Sequence, residues 1–388
     1  MACTGVVGTG EPLADAGQVT ADAGPSGAID AGVVTLDAGM AFDAGGALDA
    51  GAPDAGRSDG CPTAPPFDTL APELQRCLEP LLLAIGNRSR RIVSFDGQTW
   101  LADQIDDGNT VNGQMLDDAA TGAAFGKGYI VAGSDFGIFT SADRGQTWVK
   151  APPPAPQQWG QGIHVSPMAF TGRKFVAYSD TATFTSSDAF VWEKHVVTTF
   201  NGSHIAFFGN AVGANGRIVA SGGGSALNVS DDDGVTWRQI EVGITGGLRS
   251  LIYANDTFVG LAKGARLSSK DNGDSWQVAI DDCAANDPVK CVGDGPSELT
   301  LRDGGFVFTT SGNAILESNN GVDWAKTGNG YGFDWSHVFF NGVDYAVHGT
   351  NSYWHSPSAG GPWPTSDFPS ANAAFGVERL VLGRVLKR

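Results

Sequence analysis

The chain has 388 residues, enough for one large or two ordinary domains, and a formal net charge of −18. That charge argues against a protein that neutralises a nucleic-acid backbone. No run of 18 or more apolar residues offers a membrane-spanning helix.

The charge is uneven. Residues 1–66 hold eight Asp, one Glu and one Arg, and Asp-Ala-Gly recurs from Asp15, Asp22, Asp30, Asp37, Asp43, Asp49 and Asp54. Small residues and like charges cannot bury enough apolar area to offset ordering entropy. The expected plan is a disordered linker over 1–60, a short cap over 61–80 and one globular body over 81–388. Ahead of the linker, Met1-Ala-Cys3-Thr4-Gly5 resembles the mature end of a bacterial lipoprotein, where a small residue precedes a cysteine that is lipidated after signal cleavage. The resemblance implies a lipid on Cys3. Thr4, standing where an Asp would mark inner-membrane retention, implies the outer membrane or cell surface of a Gram-negative bacterium. The hydrophobic signal itself is missing from the sequence, and the alternative is an unmodified cysteine in a flexible tail.

The other cysteines form two locally spaced sets, Cys61 with Cys77 and Cys283 with Cys291. Two short disulfide loops are expected, in keeping with export. Four reduced thiols in a cytosolic protein are the alternative. Within the cap, Pro72-Glu-Leu-Gln-Arg-Cys77-Leu78 suits one or two helical turns, with Pro in the first turn.

From about residue 81 the chain reads as all-β. Runs such as Tyr129-Ile-Val-Ala, Phe175-Val-Ala-Tyr, Arg217-Ile-Val-Ala and Phe306-Val-Phe-Thr are short, branched or aromatic, and bounded by Gly, Asn and Asp turns. A turn ending in tryptophan recurs among them. Its best copies are Ser141-Ala-Asp-Arg-Gly-Gln-Thr-Trp148, Ser230-Asp-Asp-Asp-Gly-Val-Thr-Trp237 and Ser269-Lys-Asp-Asn-Gly-Asp-Ser-Trp276, with weaker copies ending at Trp100, Trp192, Trp324 and Trp363. Successive tryptophans lie 39 to 48 residues apart, the period of a four-stranded propeller blade. The expected fold is a seven-bladed β-propeller. Its ring is closed by a blade made of both chain ends, with Ala373-Ala-Phe-Gly376 opening the inner strands and Arg91-Ile-Val-Ser94 with Trp100 finishing it. Leu81-Leu-Leu-Ala-Ile85 and Arg379-Leu-Val-Leu382 both fit a second strand, so that blade holds five strands or leaves one segment outside.

In the turn, Gly accepts positive φ, Ser and Asp accept hydrogen bonds from free N–H groups, and Trp packs between blades. The pattern therefore stabilises a turn and does not supply catalytic carboxylates. It resembles the Asp-box (BNR) repeat family over about three-quarters of the chain. Ala189 replaces Gly in the third copy, Asn320 and Ser358 replace Asp in the last two, and three copies are one residue shorter; looser turns are expected there. The family spans sialidases, other polysaccharide-active enzymes, sortilin-like receptors and photosystem assembly factors, so the resemblance implies fold more than chemistry. Sialidases carry Arg-Ile-Pro and three carboxylate-binding arginines; Arg91-Ile-Val lacks the proline, and no arginine triad is evident.

Loops from a fourth strand to the next first strand open on the face away from these turns. Trp159 and Trp335 fall in two such loops, and Cys283–Cys291 spans a third. Aromatic faces beside polar groups suit sugar or peptide ligands. His164, His204 and His337, with Arg249, lie near the start of inner strands and are expected at the channel mouth, where they contact a ligand or are simply structural. Glu298 is a further acid there. The sequence holds no HExxH, no CxxC zinc pattern, no GxSxG and no phosphate-binding loop, so neither metal nor cofactor is expected. The expected function is a monomeric, surface-tethered, non-catalytic module that binds polysaccharide or protein. The alternatives are a glycoside hydrolase or lyase working in the central funnel, and a periplasmic assembly factor.

Overall fold

Short apolar runs separated by tight turns can bury both faces only if each sheet packs between two others, and the chain folds accordingly. The computed structural model describes residues 60–69, 71–106, 110, 111, 114, 115, 119–134, 136–154, 168–179, 182–197, 211–214, 216–222, 225–244, 247–282, 287–289, 291, 299–302, 304–310, 314–329, 336–340, 343–347, 352–357, 361–369 and 376–387. They belong to one unit, Ala50–Arg388; Met1–Asp49 forms another and lies outside the described residues.

Among the described residues, seven four-stranded antiparallel sheets and one two-stranded ribbon are present. Sheet 1 is formed by Val377–Leu386, Leu78–Gly86, Arg90–Ser94 and Trp100–Gln104, in that spatial order. Sheets 2 to 7 are simple meanders running from Ala120 to Lys150, Met168 to Val196, Ala211 to Glu241, Leu248 to Ile280, Thr300 to Asn329 and Ser336 to Asp367. First strands of neighbouring sheets stand side by side from sheet 1 through sheet 5, and from sheet 6 through sheet 7 back to sheet 1. Between sheets 5 and 6, the Leu299 amide donates to Ser250 Oγ at 2.9 Å. The result is an all-β propeller of four-stranded antiparallel blades.

The register of sheet 1 settles which terminal segment is which. Arg379-Leu-Val-Leu382 belongs to the innermost strand, paired from Leu78↔Leu386 to Gly86↔Val377, and Leu81–Ile85 forms the second strand. The sheet therefore has four strands, not five, and neither segment is left outside. The described inner strand runs from Val377; of the expected opening Ala373–Gly376, residues 373–375 lie outside the described residues. Upstream, a 3₁₀ helix over Pro72–Cys77 leads straight into the strand at Leu78.

Each meander puts its first-to-second and third-to-fourth turns at one end. The tryptophan-ending turns therefore share one face, the box face, and the opposite end is the mouth face. At the box face each turn leans on the preceding sheet. Trp192 packs with Ala124, Val131 and Ile138 of sheet 2, Trp237 with Val176 and Tyr178 of sheet 3, and Trp324 with Val259 and Leu261 of sheet 5. Trp100 meets Tyr353 and Phe368 edge-on, at 5.7 and 4.8 Å between ring centroids. The turn glycines close the remaining gap. A Cβ on Gly145 would lie 2.4 Å from Val93 Cγ1, and one on Gly321 would lie 2.3 Å from Val259 Cγ2.

Gly145 also has φ +83°, whereas Gly243, at φ +73°, has nothing within 4 Å of a built Cβ. Gly145→Ala should therefore lose about 1 kcal/mol for the backbone plus roughly 1–3 kcal/mol for overpacking, and Gly243→Ala only the backbone part. Urea unfolding of the two variants checks this; equal losses would rule out the inter-sheet contact as the source.

Candidate functional site

The acidic residues of the turns are engaged in holding backbone. In the second turn, Ser141 Oγ donates to Asp143 Oδ1 (2.9 Å) and accepts from the Gly145 amide (2.8 Å). Asp143 accepts from the Thr147 amide (2.8 Å) and hydroxyl (2.6 Å), and the Trp148 indole donates to Gly145 O (3.1 Å). The fourth and fifth turns repeat this set around Asp232 and Asp271. The shorter copies keep its logic. Asp188 accepts the Phe190 and Val191 amides, and Asn320 accepts the Val322 and Asp323 amides through Oδ1. Ala189 adopts φ +69° and its carbonyl still accepts the Trp192 indole, at 3.3 Å. The looseness expected of the third and sixth copies is therefore confined to slightly longer indole bonds; Ser358, in the last copy, lies outside the described residues.

Electrostatics follow the hydrogen bonds. The Ser275 hydroxyl first, then the Ser275 amide and the Ser269 hydroxyl, hold the Asp271 carboxyl down at about 2. Burial pushes Asp143 and Asp232 up, but the bonds from Thr147 and Ser141, and from Thr236 and Ser230, outweigh it and leave both below the usual carboxylate value. Carboxylates held this low are poor general acids or bases near neutral pH. The remaining box-face charges brace neighbouring sheets. Arg217 bridges Asp231 (2.5 Å) and Asp274 (2.7 Å), Arg238 reaches the same two, and Arg173 pairs with Asp233.

The mouth face is built differently. Three inner strands carry a bulge near their mouth ends, where the register shifts by one residue: at Thr121 in sheet 2, Arg249 in sheet 5 and Glu378 in sheet 1. A bulge re-aims a residue while the strand continues. Arg249 and Glu378 are both exposed. The next residue, Arg379, is reached by solvent over part of its surface, yet desolvation by the surrounding protein lowers its guanidinium to about 10. Sheet 5 adds two cations at the same end: exposed Lys263 in its second-to-third turn, and half-buried Arg266, lowered by burial against the opposing pull of Asp281. Arg249 sits near the mouth end of its strand, together with Lys263 and Arg266, and with Glu378 at the corresponding end of sheet 1; those last three were not singled out from the sequence. Val377-Glu-Arg-Leu380 takes the same register as Leu248-Arg-Ser-Leu251, a correspondence that only the strand pairing reveals.

The other expected ligand residues are not brought together here. Trp159, His164, His204, Trp335 and Glu298 lie outside the described residues, as do Cys3 and Cys283. His337 belongs to the strand Ser336–Phe340 and pairs with Ala346. Counted from the first turn, that register position holds buried Met168, Leu251 and Leu299 in other sheets, deeper than the bulge that carries Arg249. Cys61 and Cys77 are joined, and Cys291 is disulfide-bonded. Among the described residues no cluster of three or more His, Cys, Asp or Glu is placed to hold a metal ion.

The sequence matches no protein-family model and no curated protein. Solved structures resemble it at low identity. YCF48 from Cyanidioschyzon merolae is 11% identical, with 68% of this chain and 94% of that one covered and a TM-score of 0.49. YCF48 bound to a D1 peptide is 12% identical, covering 69% and 93%, with a TM-score of 0.48. The Niastella koreensis GH74 enzyme is 16% identical, covering 74% and 47%, with a TM-score of 0.32.

Lowered carboxylates tie stability to pH. Asp271 is depressed in the folded chain, so its contribution is complete above the unfolded value, near 3.8, and disappears as pH falls through about 2. Asp271→Ala should lower the melting temperature at pH 7, and the gap from the parent chain should close between about pH 4 and pH 2. Thermal melts across that range decide; a gap constant with pH would assign the loss to packing.

Proposed function

We propose that this chain is a seven-bladed Asp-box propeller that works as an exported, surface-tethered binding or scaffolding module, engaging polysaccharide or protein through its mouth face. The observation that carries the reading is the division of labour between the faces. Box-face carboxylates are consumed by turns and inter-sheet ion pairs, and the described chain enters there, where Cys61 and Cys77 are buried against Leu78 and Leu386. Exposed Arg249, Lys263 and Glu378 stand at the opposite end. A linker leaving the box face would present the mouth face outward, with a lipid on Cys3 as its anchor. In a chain of charge −18, the cations of sheet 5 favour ligands bearing carboxylates.

Binding of uronate-containing glycans and acidic peptides on arrays, run beside a reducing-sugar release assay, tests this. Arg249→Ala with Lys263→Ala should weaken binding at least tenfold and leave the melting temperature within about 2 °C, because both are exposed surface positions. Sugar release that disappears in Glu378→Gln would replace the reading with a glycoside hydrolase or lyase. Radiolabelled palmitate incorporation, lost in Cys3→Ser, tests the anchor.

A further inference from the structure

The Cys61–Cys77 disulfide lies where the two chain ends meet. It closes a loop with a sequence separation of 16, and both cysteines are buried. Around it sit Leu78, Leu386, Phe67 and Leu74. The cap inside this loop is fastened to two sheets. On sheet 2, the Phe67 amide donates to Lys127 O (3.2 Å) and the Lys127 amide donates to Thr69 Oγ1 (3.2 Å). The Phe67 ring fills the space over Gly128, where a Cβ would come within 2.2 Å of it. On sheet 1, the Lys387 amide donates to Cys77 O (2.8 Å), Lys387 Nζ to Arg76 O (2.6 Å) and Arg384 to Gln75 Oε1 (3.0 Å).

These contacts differ in how they resist a pull from the N-terminal side. Without the disulfide, tension arriving at Cys61 reaches the cap first and strips its few contacts with sheet 2 one at a time. With it, the tension passes through sulfur to Cys77, and residues 62–76 lie outside the load path. The next residue, Leu78, begins the second strand of sheet 1. That strand is interior, paired antiparallel on one side with Val377–Leu386 and on the other with Arg90–Ser94. A pull from the box face against a hold on the mouth face runs along the strand, so both ladders are loaded in shear and their hydrogen bonds must fail together.

We propose that the disulfide is a mechanical shunt: it routes tension on the N-terminal segment into the central strand pair that closes the ring, and protects the cap from being peeled off. The use of such a shunt rests on the tethered reading above, but the load path does not. Oxidation state then sets whether the cap is a passenger or the first element to yield.

An optical trap tests it on the full chain, with one handle at the N-terminus and the other on a peptide tag inserted in the Lys263–Gly264 turn of the mouth face. The oxidised chain should show no step from the cap before the propeller ruptures. Cys61→Ser/Cys77→Ser should add an early low-force step of roughly 55 Å, the extended length of the freed loop. An early step of that size in the oxidised chain, or none in a folded double variant, overturns the proposal. Phe67→Ala in the oxidised chain gives an independent reading, because it needs no loss of the disulfide. Its rupture force should match the parent's, and a reduced force would show that the cap carries load. Absence of palmitate labelling in the parent chain, with an intact shunt, would count against the tether alone.

Discussion

The contact on which the other features depend is the insertion of each tryptophan-ending turn against the sheet before it. A four-stranded sheet of this size cannot bury both faces by itself. The turn solves that problem locally. Its glycine lets backbone approach a valine of the preceding sheet, and its tryptophan covers the gap beside it. The same backbone carbonyl then serves twice: Ala189 O accepts the Trp192 indole and the Thr140 hydroxyl of sheet 2, and Gly234 O accepts the Trp237 indole and the Thr183 hydroxyl of sheet 3. Turn, tryptophan and neighbour are therefore one cooperative unit, and stability is shared around the ring by nearest-neighbour contacts.

This arrangement explains why departures from the motif are tolerated. In the shorter copies the acid supplies one acceptor oxygen aimed at two amides, and Asn320 supplies that oxygen as well as Asp188 does. Glycine is needed for positive φ and for closeness; Ala189 meets the first demand with φ +69° while buried among sheet 2 side chains. The tryptophan is the part common to the copies: it packs against the preceding sheet, and in the second to sixth copies its indole also returns a hydrogen bond to the turn, whereas Trp100 contributes by packing on Tyr353 and Phe368. Chemistry on the box face is disfavoured for the same reason. Its acids are already satisfied, and pulling one away would leave turn amides without partners.

Most of the fold was legible from the spacing of seven tryptophans, because that spacing is a property of local turns and repeats. What was not legible was the closing sheet. Leu81–Ile85 and Leu380–Leu382 are both unbroken aliphatic runs, and such runs lack the alternation that distinguishes one strand position from another, even though Leu382 is exposed. Only the pairing of Leu82 with Leu382 and with Ser94 assigns them. The candidate site was legible only in part. Arg249 follows a glycine-rich stretch and marks a strand start, but a bulge shifts the side-chain phase by one residue and hides Glu378 from any period-two reading. His337 is the second residue of the strand Ser336–Phe340, at the register position that Leu251 holds in sheet 5, two residues beyond Arg249.

Closing the ring with both termini has a physical consequence that the repeats alone do not carry. Sheets 2 to 7 each fold from contiguous chain, so their pairings are local. Sheet 1 must bring residue 78 to residue 386 across nearly the whole propeller, which makes it the pairing with the largest loop-closure cost. Its stability is drawn from several sources at once. The two terminal strands pair over the full length of Leu78–Gly86, Arg90 joins Asp103 through two bonds and reaches Pro369 O of the loop after sheet 7, and Arg91 lies 3.8 Å from the Phe139 ring centre in sheet 2. Arg90 is buried and paired with Asp103, so removing that carboxylate would leave a buried charge without its counter-ion. The closing sheet is thus held to both neighbours by charged groups as well as by packing, and the stapled cap adds a covalent restraint at the one place where the ring has no continuous chain.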